Sequence, residues 1–436
     1  MRIVYLNPCG KWGGAETSLR ELLLSVRTAE PSWELWLWLG EDGPLAGAAR
    51  DLGVQVVVEP FPRALGRLGE GGGGLGALWS ILTGAAPTAR YAFRLAGWLR
   101  KIKPDIIHTN GFKMHLLGAW TRPRQTPLVW HIHDYVRSRR LMSRLVRLFA
   151  GACTVAIVNS RSVARDLQHL LPKLRTAPIY NAIDVHRFSP AGVNIDLDAA
   201  AGLAPAADGT VRVGLVSTFA RWKGHLVFLE ALAQLLSEAQ VRGPVRGYVI
   251  GGPIYQTDGS QWSLPELQRE AGRLGLTGKV GFTGFIDDPA SAMRSLDILV
   301  HASTAPEPFG MVIIEGMACG KAVIASQAGG ASELFTDGEN ALGHPPGNAL
   351  ELSHQMLRLV NDPALRSRLG TAGRATAVGH FTTHRLAQEL VSIYLEIRGG
   401  PVETEASIRD AGLAAQKRQR IKSTNPVSKG QPGAIP

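Results

Sequence analysis

Cysteine is scarce in this chain of 436 residues: Cys9, Cys153 and Cys319 are all there is. The three lie far apart, make no metal-ligand spacing and fit a reducing compartment. Long apolar runs are missing as well. The longest uncharged one, Gly71 to Ala89, is crowded with glycine and broken by Pro87, which argues against a membrane span. The amino terminus, Met1-Arg2-Ile3-Val4-Tyr5-Leu6-Asn7, lacks a signal-peptide core and cleavage site and reads straight into a strand, so a cytoplasmic protein is expected. Acidic residues fall short of basic ones, 36 against 47, for a formal charge of +11. That excess asks for an anionic partner. Nucleic acid is not expected, because there is no zinc-finger spacing, no RNP-type aromatic strand and no basic helix-turn-helix. Much of the charge sits in Arg137, Arg139, Arg140, Arg144 and Arg147 and in the tail, which suits an anionic bilayer surface or an anionic substrate.

What is present is a globular composition, 45% apolar and 19% charged, long enough for two domains of ordinary size. Short β-branched runs at Arg2–Asn7, Leu35–Leu39, Val54–Glu59, Asp105–Thr109, Leu128–His133 and Val155–Asn159 alternate with helix-like segments such as Ala15–Val26 and Ser162–Leu171. That alternation predicts a parallel, doubly wound α/β sheet. An Ala/Gly/Pro/Asp-rich stretch, 191–209, reads as a linker between residues 1–190 and a second alternation over 210–380. The second series runs Val211–Val216, Tyr248–Ile250, Val280–Thr283, Ile298–Ala302 and Ala322–Ala325. A further helix is expected at Arg385–Ile397, and the polar, basic segment 400–436 reads as disordered.

The most informative segment is Glu307-Pro308-Phe309-Gly310-Met311-Val312-Ile313-Ile314-Glu315. It follows the strand-like Asp297–Ser303, and the apolar residues from Gly310 to Cys319 suit a buried helix. The spacing places a loop, a helix N-terminus and a carboxylate one turn into the helix around one point. Free N–H groups and the positive dipole end favour a phosphate or polar sugar there, and two acceptor-only carboxylates suit hydroxyl groups. By themselves, two glutamates so spaced also fit a helix-cap acid and a solvated helix residue. A further strand, Lys321–Ser326, leads into Gln327-Ala328-Gly329-Gly330-Ala331-Ser332-Glu333, a glycine-bearing turn that opens a helix. The paired glutamates and the G-G-x-x-E turn together resemble the E-x7-E region of the retaining glycosyltransferases of family 4.

That resemblance extends from about Met1 to about Ile397 and implies a GT-B fold, two doubly wound Rossmann-like domains facing a cleft. It also implies that a helix at about 381–398 returns to the first domain. Gly10-Lys11-Trp12-Gly13-Gly14-Ala15-Glu16, between the first strand and first helix, resembles the family's glycine loop beside the donor phosphates, with Gly13 and Gly14 allowing positive φ and close approach. A tight turn with no ligand is the plain alternative. Arg221-Trp222-Lys223-Gly224 resembles the family's cationic turn, although Ser217-Thr218 stands where glycine and arginine are expected. Arg221 is read as the substitute and Lys223 as its partner, together meeting the charge of the departing nucleoside diphosphate. His133 resembles the family's histidine near the reaction centre, while His108 and His115 are read as structural or acceptor-loop residues. Asn181-Ala182-Ile183-Asp184 resembles the hinge. Gly284-Phe285 resembles the base pocket, with core packing of Phe285 the alternative.

The resemblance thus implies a retaining, metal-independent transfer from a nucleotide sugar to a polysaccharide, oligosaccharide or lipid-linked acceptor, with no cofactor. Glu307 and the amides of Phe309, Gly310 and Met311 would hold the donor sugar, and Glu315 the ribose. A GT-B epimerase and a non-catalytic sugar-nucleotide binder are the rivals. Finally, Arg139, Arg140, Arg144 and Arg147 recur among Leu141, Leu145, Leu148 and Phe149, and a second basic-apolar stretch runs from Arg90 to Lys103 with Phe93, Leu95, Trp98 and Leu99. Both read as basic amphipathic segments able to dock on an anionic membrane, or as ordinary helices with core-facing leucines.

Overall fold

A computed structural model describes residues 1–62, 75–253 and 259–399, so the tail expected to be disordered lies outside the described residues. The chain divides into two compact units, Met1–Leu390 and Val391–Pro436; of the second, the described part is the end of the helix Thr383–Arg398 and Gly399. The first unit carries two parallel sheets. Its first seven strands are β1 (Arg2–Asn7), β2 (Glu34–Leu39), β3 (Gln55–Val58), β4 (Ile106–Asn110), β5 (Leu128–Ile132), β6 (Val155–Val158) and β7 (Thr176–Pro178), in the order β3-β2-β1-β4-β5-β6-β7. The other six are β8 (Val211–Val216), β9 (Val245–Ile250), β10 (Val280–Gly284), β11 (Ile298–His301), β12 (Ala322–Ser326) and β13 (Leu342–His344), in the order β10-β9-β8-β11-β12-β13. Every pairing between these strands is parallel.

Strands covered by helices on both faces are buried on both faces and read as largely apolar runs, not as alternating ones. β4, β5, β6, β11 and β12 are buried at every position. One core gathers Val4, Leu6, Ile107, Trp130 and Val158, and another Val213, Leu215, Val249, Val300 and Ile324. β7 and β13 were not expected from the sequence; at three residues each they are too short to show a period. The stretch read as a linker is anchored. Within it, Leu197–Ala200 forms one helical turn, and Asp198 is buried against Arg246 and the hydroxyl of Tyr248. The hinge segment is pinned too, since Ile183 N–H donates to the Phe381 carbonyl and Arg385 donates to the carbonyls of Tyr180 and Asn181. Leu75–Ile102 is a helix containing Pro87, and among the described residues no helix is long and apolar enough to cross a membrane.

In parallel sheets of this kind, ligands meet the carboxyl ends of the strands. Gly224 shows how tightly one such end is built. It starts the helix His225–Ser237 with φ of 78°, and a Cβ there would sit 1.9 Å from the Ala302 carbonyl oxygen beyond β11. Replacing it strains the backbone and drives two strand-end loops apart. Gly224→Ala is expected to cost about 2 kcal/mol of stability, read from urea unfolding. An unchanged unfolding midpoint would contradict this account of the turn.

Candidate active site

A cavity of about 1270 Å3 opens at the strand ends of both sheets. From the first half it takes Asn7, the loop Lys11–Gly14, Glu16, His131, His133 and Asn159; from the second, Ser217, Thr218, Trp222, Lys223 and the run Glu307–Val312 with Glu315.

Glu307 is 7% exposed, and burying a carboxylate is costly unless its oxygens are paired. Both are. Lys223 Nζ lies 2.5 Å from Oε1, Ser303 Oγ donates to Oε2 at 2.5 Å, and His301 Nε2 is 2.7 Å from the same oxygen. The histidine's proton is placed by its other nitrogen: Ser326 N–H donates to Nδ1 at 3.3 Å, so Nε2 carries the hydrogen and donates to Glu307. His344 Nε2 in turn bonds the His301 carbonyl at 3.1 Å. Burial alone would raise the Glu307 carboxyl, but the Lys223 ammonium and the contacts from His301 outweigh it and hold it well below the usual range.

Eight residues on, Glu315 behaves in the opposite way. It sits inside the helix Met311–Ala318, lines the cavity and makes no side-chain hydrogen bond among the described residues. Burial pushes it up to about 7, opposed by Arg187 and reinforced by the Glu21 carboxylate. Gly310 begins the helix in the left-handed conformation, and the amides of Gly310, Met311 and Val312 are left at the cavity with no backbone partner in the helix. The Phe309 side chain packs away, against Tyr180 and Phe381, so only its backbone can serve a ligand.

Gly13 and Gly14 line the cavity, but contrary to the expectation from the sequence neither adopts positive φ. Gly13 is extended, and a Cβ on Gly14 would meet nothing within 4 Å, so these glycines keep space open in front of the helix Gly14–Ala29. His133 also lies at the cavity, its Nε2 3.1 Å from Asn110 Oδ1, with burial holding it down at about 4 and therefore neutral at pH 7. Lys223 is brought to Glu307, but Arg221 is not. Its guanidinium stacks 3.6 Å from the Trp262 ring centroid, donates to the Gly259 carbonyl and pairs with Glu266 at 3.4 Å. Adjacency in sequence had suggested otherwise; the turn Arg221–Lys223 points the two cations in different directions. Gly284 and Phe285 do not line the cavity. Phe285 is 60% exposed, so it is not a core residue either, and its ring lies over Gly252.

Three positions that build the site escaped the sequence reading. His301 and Ser303 carry no signal beyond a histidine and a serine at a strand end. Glu333 was read only as part of a turn that opens a helix, whereas Gly330–Glu333 is a single 3-10 turn. Its carboxylate accepts from the backbone amides of Arg161 and Ser162 at 2.9 and 2.7 Å, capping the helix Arg161–Leu170 of the first half, and from the Tyr180 hydroxyl. Tyr135 OH donates to the Glu307 carbonyl at 3.3 Å, and Gly330 N–H to the same oxygen at 2.7 Å. The paired glycines permit this: a Cβ on Gly330 would lie 1.9 Å from the Pro308 carbonyl oxygen.

Two family models match the chain, glycosyltransferase family 4 over residues 12–187 and glycosyl transferases group 1 over residues 205–376. A D-inositol 3-phosphate glycosyltransferase of Streptomyces bingchenggensis is 31% identical over 316 residues, 68% of this chain and 67% of the relative. The lipopolysaccharide core biosynthesis glycosyltransferase LpsE of Rhizobium meliloti is 28% identical over 299 residues, 68% of this chain and 76% of its own. Among solved structures, Anabaena Alr3699/HepE in complex with UDP superposes with a TM-score of 0.70 at 26% identity, covering 91% of this chain and 100% of that one.

Glu315 makes a pH prediction. Its folded value of about 7 lies above the ordinary 4.5, so the folded state holds the extra proton between those limits. Stability is therefore expected to fall as pH rises through that window and to level off above it. Glu315→Gln should remove this part of the slope, checked by melting temperatures from pH 5 to pH 8. A wild-type slope in the variant would mean that Glu315 is not the group responsible.

Proposed function

The chain belongs to the group 1 glycosyltransferases of family 4, and we propose that it moves a sugar from a nucleotide-sugar donor to a saccharide or lipid-linked acceptor with retention of anomeric configuration. One observation carries this reading: the buried carboxylate of Glu307, kept ionised by Lys223, His301 and Ser303, stands beside the open N-terminus of the helix Met311–Ala318. An ionised carboxylate accepts hydroxyl hydrogens and cannot donate, which suits the hydroxyls of a donor sugar. The helix amides and Lys223 suit the diphosphate. Glu315, partly protonated near neutral pH, suits the ribose hydroxyls, the Gly13–Gly14 loop lies between the donor phosphates and the acceptor, and His133 borders the acceptor side.

In this scheme the anomeric C–O bond breaks with its electron pair passing to the diphosphate, and Lys223 and the helix amides meet the developing charge. The acceptor oxygen forms the new bond on the same face, and its proton leaves with the diphosphate. Front-face attack is preferred because no side chain of the site is an obvious nucleophile for the opposite face. No metal ion enters the scheme. Thr218 stands where the family's arginine is expected and Arg221 is engaged elsewhere, and this favours one second reading, a non-catalytic sugar-nucleotide binder.

The basic, apolar surface supports a peripheral position on the cytoplasmic face of a membrane. In the helix Arg140–Phe149, Met142 and Val146 are buried while Leu141, Arg144, Arg147 and Leu148 are exposed. The adjacent helices Phe112–Thr121 and Leu75–Ile102 expose Trp120 and Phe93, whereas Leu95 and Leu99 face the core and Trp98 packs on Trp36 and Trp38. Each cation near an anionic leaflet adds about 1 kcal/mol.

The solved neighbour binds UDP, so UDP-glucose is the first donor to test. Acceptor-dependent UDP release is expected, with the anomeric configuration of the product, read by NMR, matching the donor. Glu307→Ala and Lys223→Ala should each lower turnover by roughly two to three orders of magnitude while the protein stays folded. His301→Leu should also fall, with part recovered in His301→Gln, which keeps an N–H donor. Nucleotide binding without turnover on any acceptor would favour the binder, and an inverted product would overturn retention. For the membrane, sedimentation with anionic but not neutral vesicles is expected, weakened by salt and by Arg144→Glu/Arg147→Glu. No binding to anionic vesicles at low salt would leave a soluble acceptor.

A further inference from the structure

We propose that the acceptor half of the cavity takes an uncharged pyranose stacked on the ring of Trp12, and disfavours a phosphorylated polyol. The inference rests on the glycosyl-transfer reading and names the acceptor class for that site. Trp12 lies in the glycine loop just ahead of the helix Gly14–Ala29, lines the cavity and is 39% exposed. Among the described residues no aromatic ring or cation covers its face. Trp222, on the other side of the cavity, differs: Lys223 Nζ lies 4.2 Å from its ring centroid. A large apolar face left open in a concave site gains most from a ligand with an apolar face of its own. The C–H face of a pyranose is such a surface, and its rim of hydroxyls needs hydrogen bonds.

Neutral side chains in this half of the cavity can meet that second need. Asn7 and Asn159, buried at the ends of β1 and β6, line the same cavity as His133. His131, behind His133 on β5, is held neutral by burial as well, so these strand ends offer hydrogen bonds but no net positive charge at pH 7. The charged side chains of this half are balanced. At the exposed rim Lys11 pairs with Glu41 at 2.5 Å and Arg139 with Asp134 at 2.8 Å, and Glu16 and Lys113 add one charge of each sign to the lining. A phosphate brought into this half would compete with a carboxylate for either cation, and against the buried strand ends it would be desolvated without a matching charge. Space for a second ligand exists, because about 1270 Å3 exceeds the roughly 300–1000 Å3 usual for one small molecule.

The test uses the full chain, with and without UDP, on an array of neutral oligosaccharides and their 6-phosphate counterparts. Retention of neutral glycans is expected, with weaker retention of the phosphorylated ones. Trp12→Ala should weaken neutral-glycan binding about tenfold, and Trp12→Phe should recover most of it. Trp12 is exposed, so neither variant threatens the fold. Preference for phosphorylated glycans, no retention of any neutral glycan, or unchanged binding by Trp12→Ala would each overturn the proposal. UDP affinity, followed separately by calorimetry, reports on the donor reading. Glycan retention without UDP binding would sink that reading, whereas the Trp12 variants report on this one alone.

Discussion

The rest of the site depends on one buried negative charge. A carboxylate at the position of Glu307 survives in the interior only if both oxygens are paired, and its partners come from separate strands. Lys223 follows β8, His301 closes β11, Ser303 comes two residues later, and the Ser326 amide that orients His301 closes β12. His344, at the end of β13, holds the His301 backbone. Those four strands are consecutive neighbours in the second sheet. A slip in the register of any one would leave the carboxylate short of a partner, so the sheet and the charge specify each other.

The backbone of the same residue joins the two halves. The Glu307 carbonyl accepts from Tyr135 of the first half and from Gly330 of the second, and Glu333 caps a helix of the first half. The loop that presents the charged group is thus part of the contact that sets the two sheets against each other. A ligand held at this loop would touch groups of both halves at once. Glu315 lacks such partners, and its environment therefore favours the neutral form where that of Glu307 favours the charged one. Two like side chains on one loop and helix end up with different chemistry because one is fully paired and the other is not.

Much of the fold was legible because buried parallel strands are short apolar runs separated by helices, a pattern readable without any partner. The pattern failed where it had too little length, at β7 and β13, and it did not show that the segment read as a linker is anchored through Asp198 to Arg246 and Arg212. In the site, spacing singled out Glu307 and Glu315 and the family resemblance singled out Lys223 and the glycine loop; the structure brings all of them to one cavity. Arg221 was misplaced because two cations two residues apart in a tight turn cannot share a direction, and no spacing rule says which one faces inward.

By itself, the sequence determined the α/β alternation, the helix N-terminus between two glutamates and the family resemblance, all of which follow from local period and local spacing. Only the tertiary structure decided which histidine supports Glu307, which cation reaches it, that Glu333 caps a helix more than 150 residues away in the chain, and that Trp12 faces an open cavity. Those outcomes depend on side chains meeting across strands far apart in sequence. Hydrogen bonds and ion pairs act over a few ångströms in space, whatever the distance along the chain.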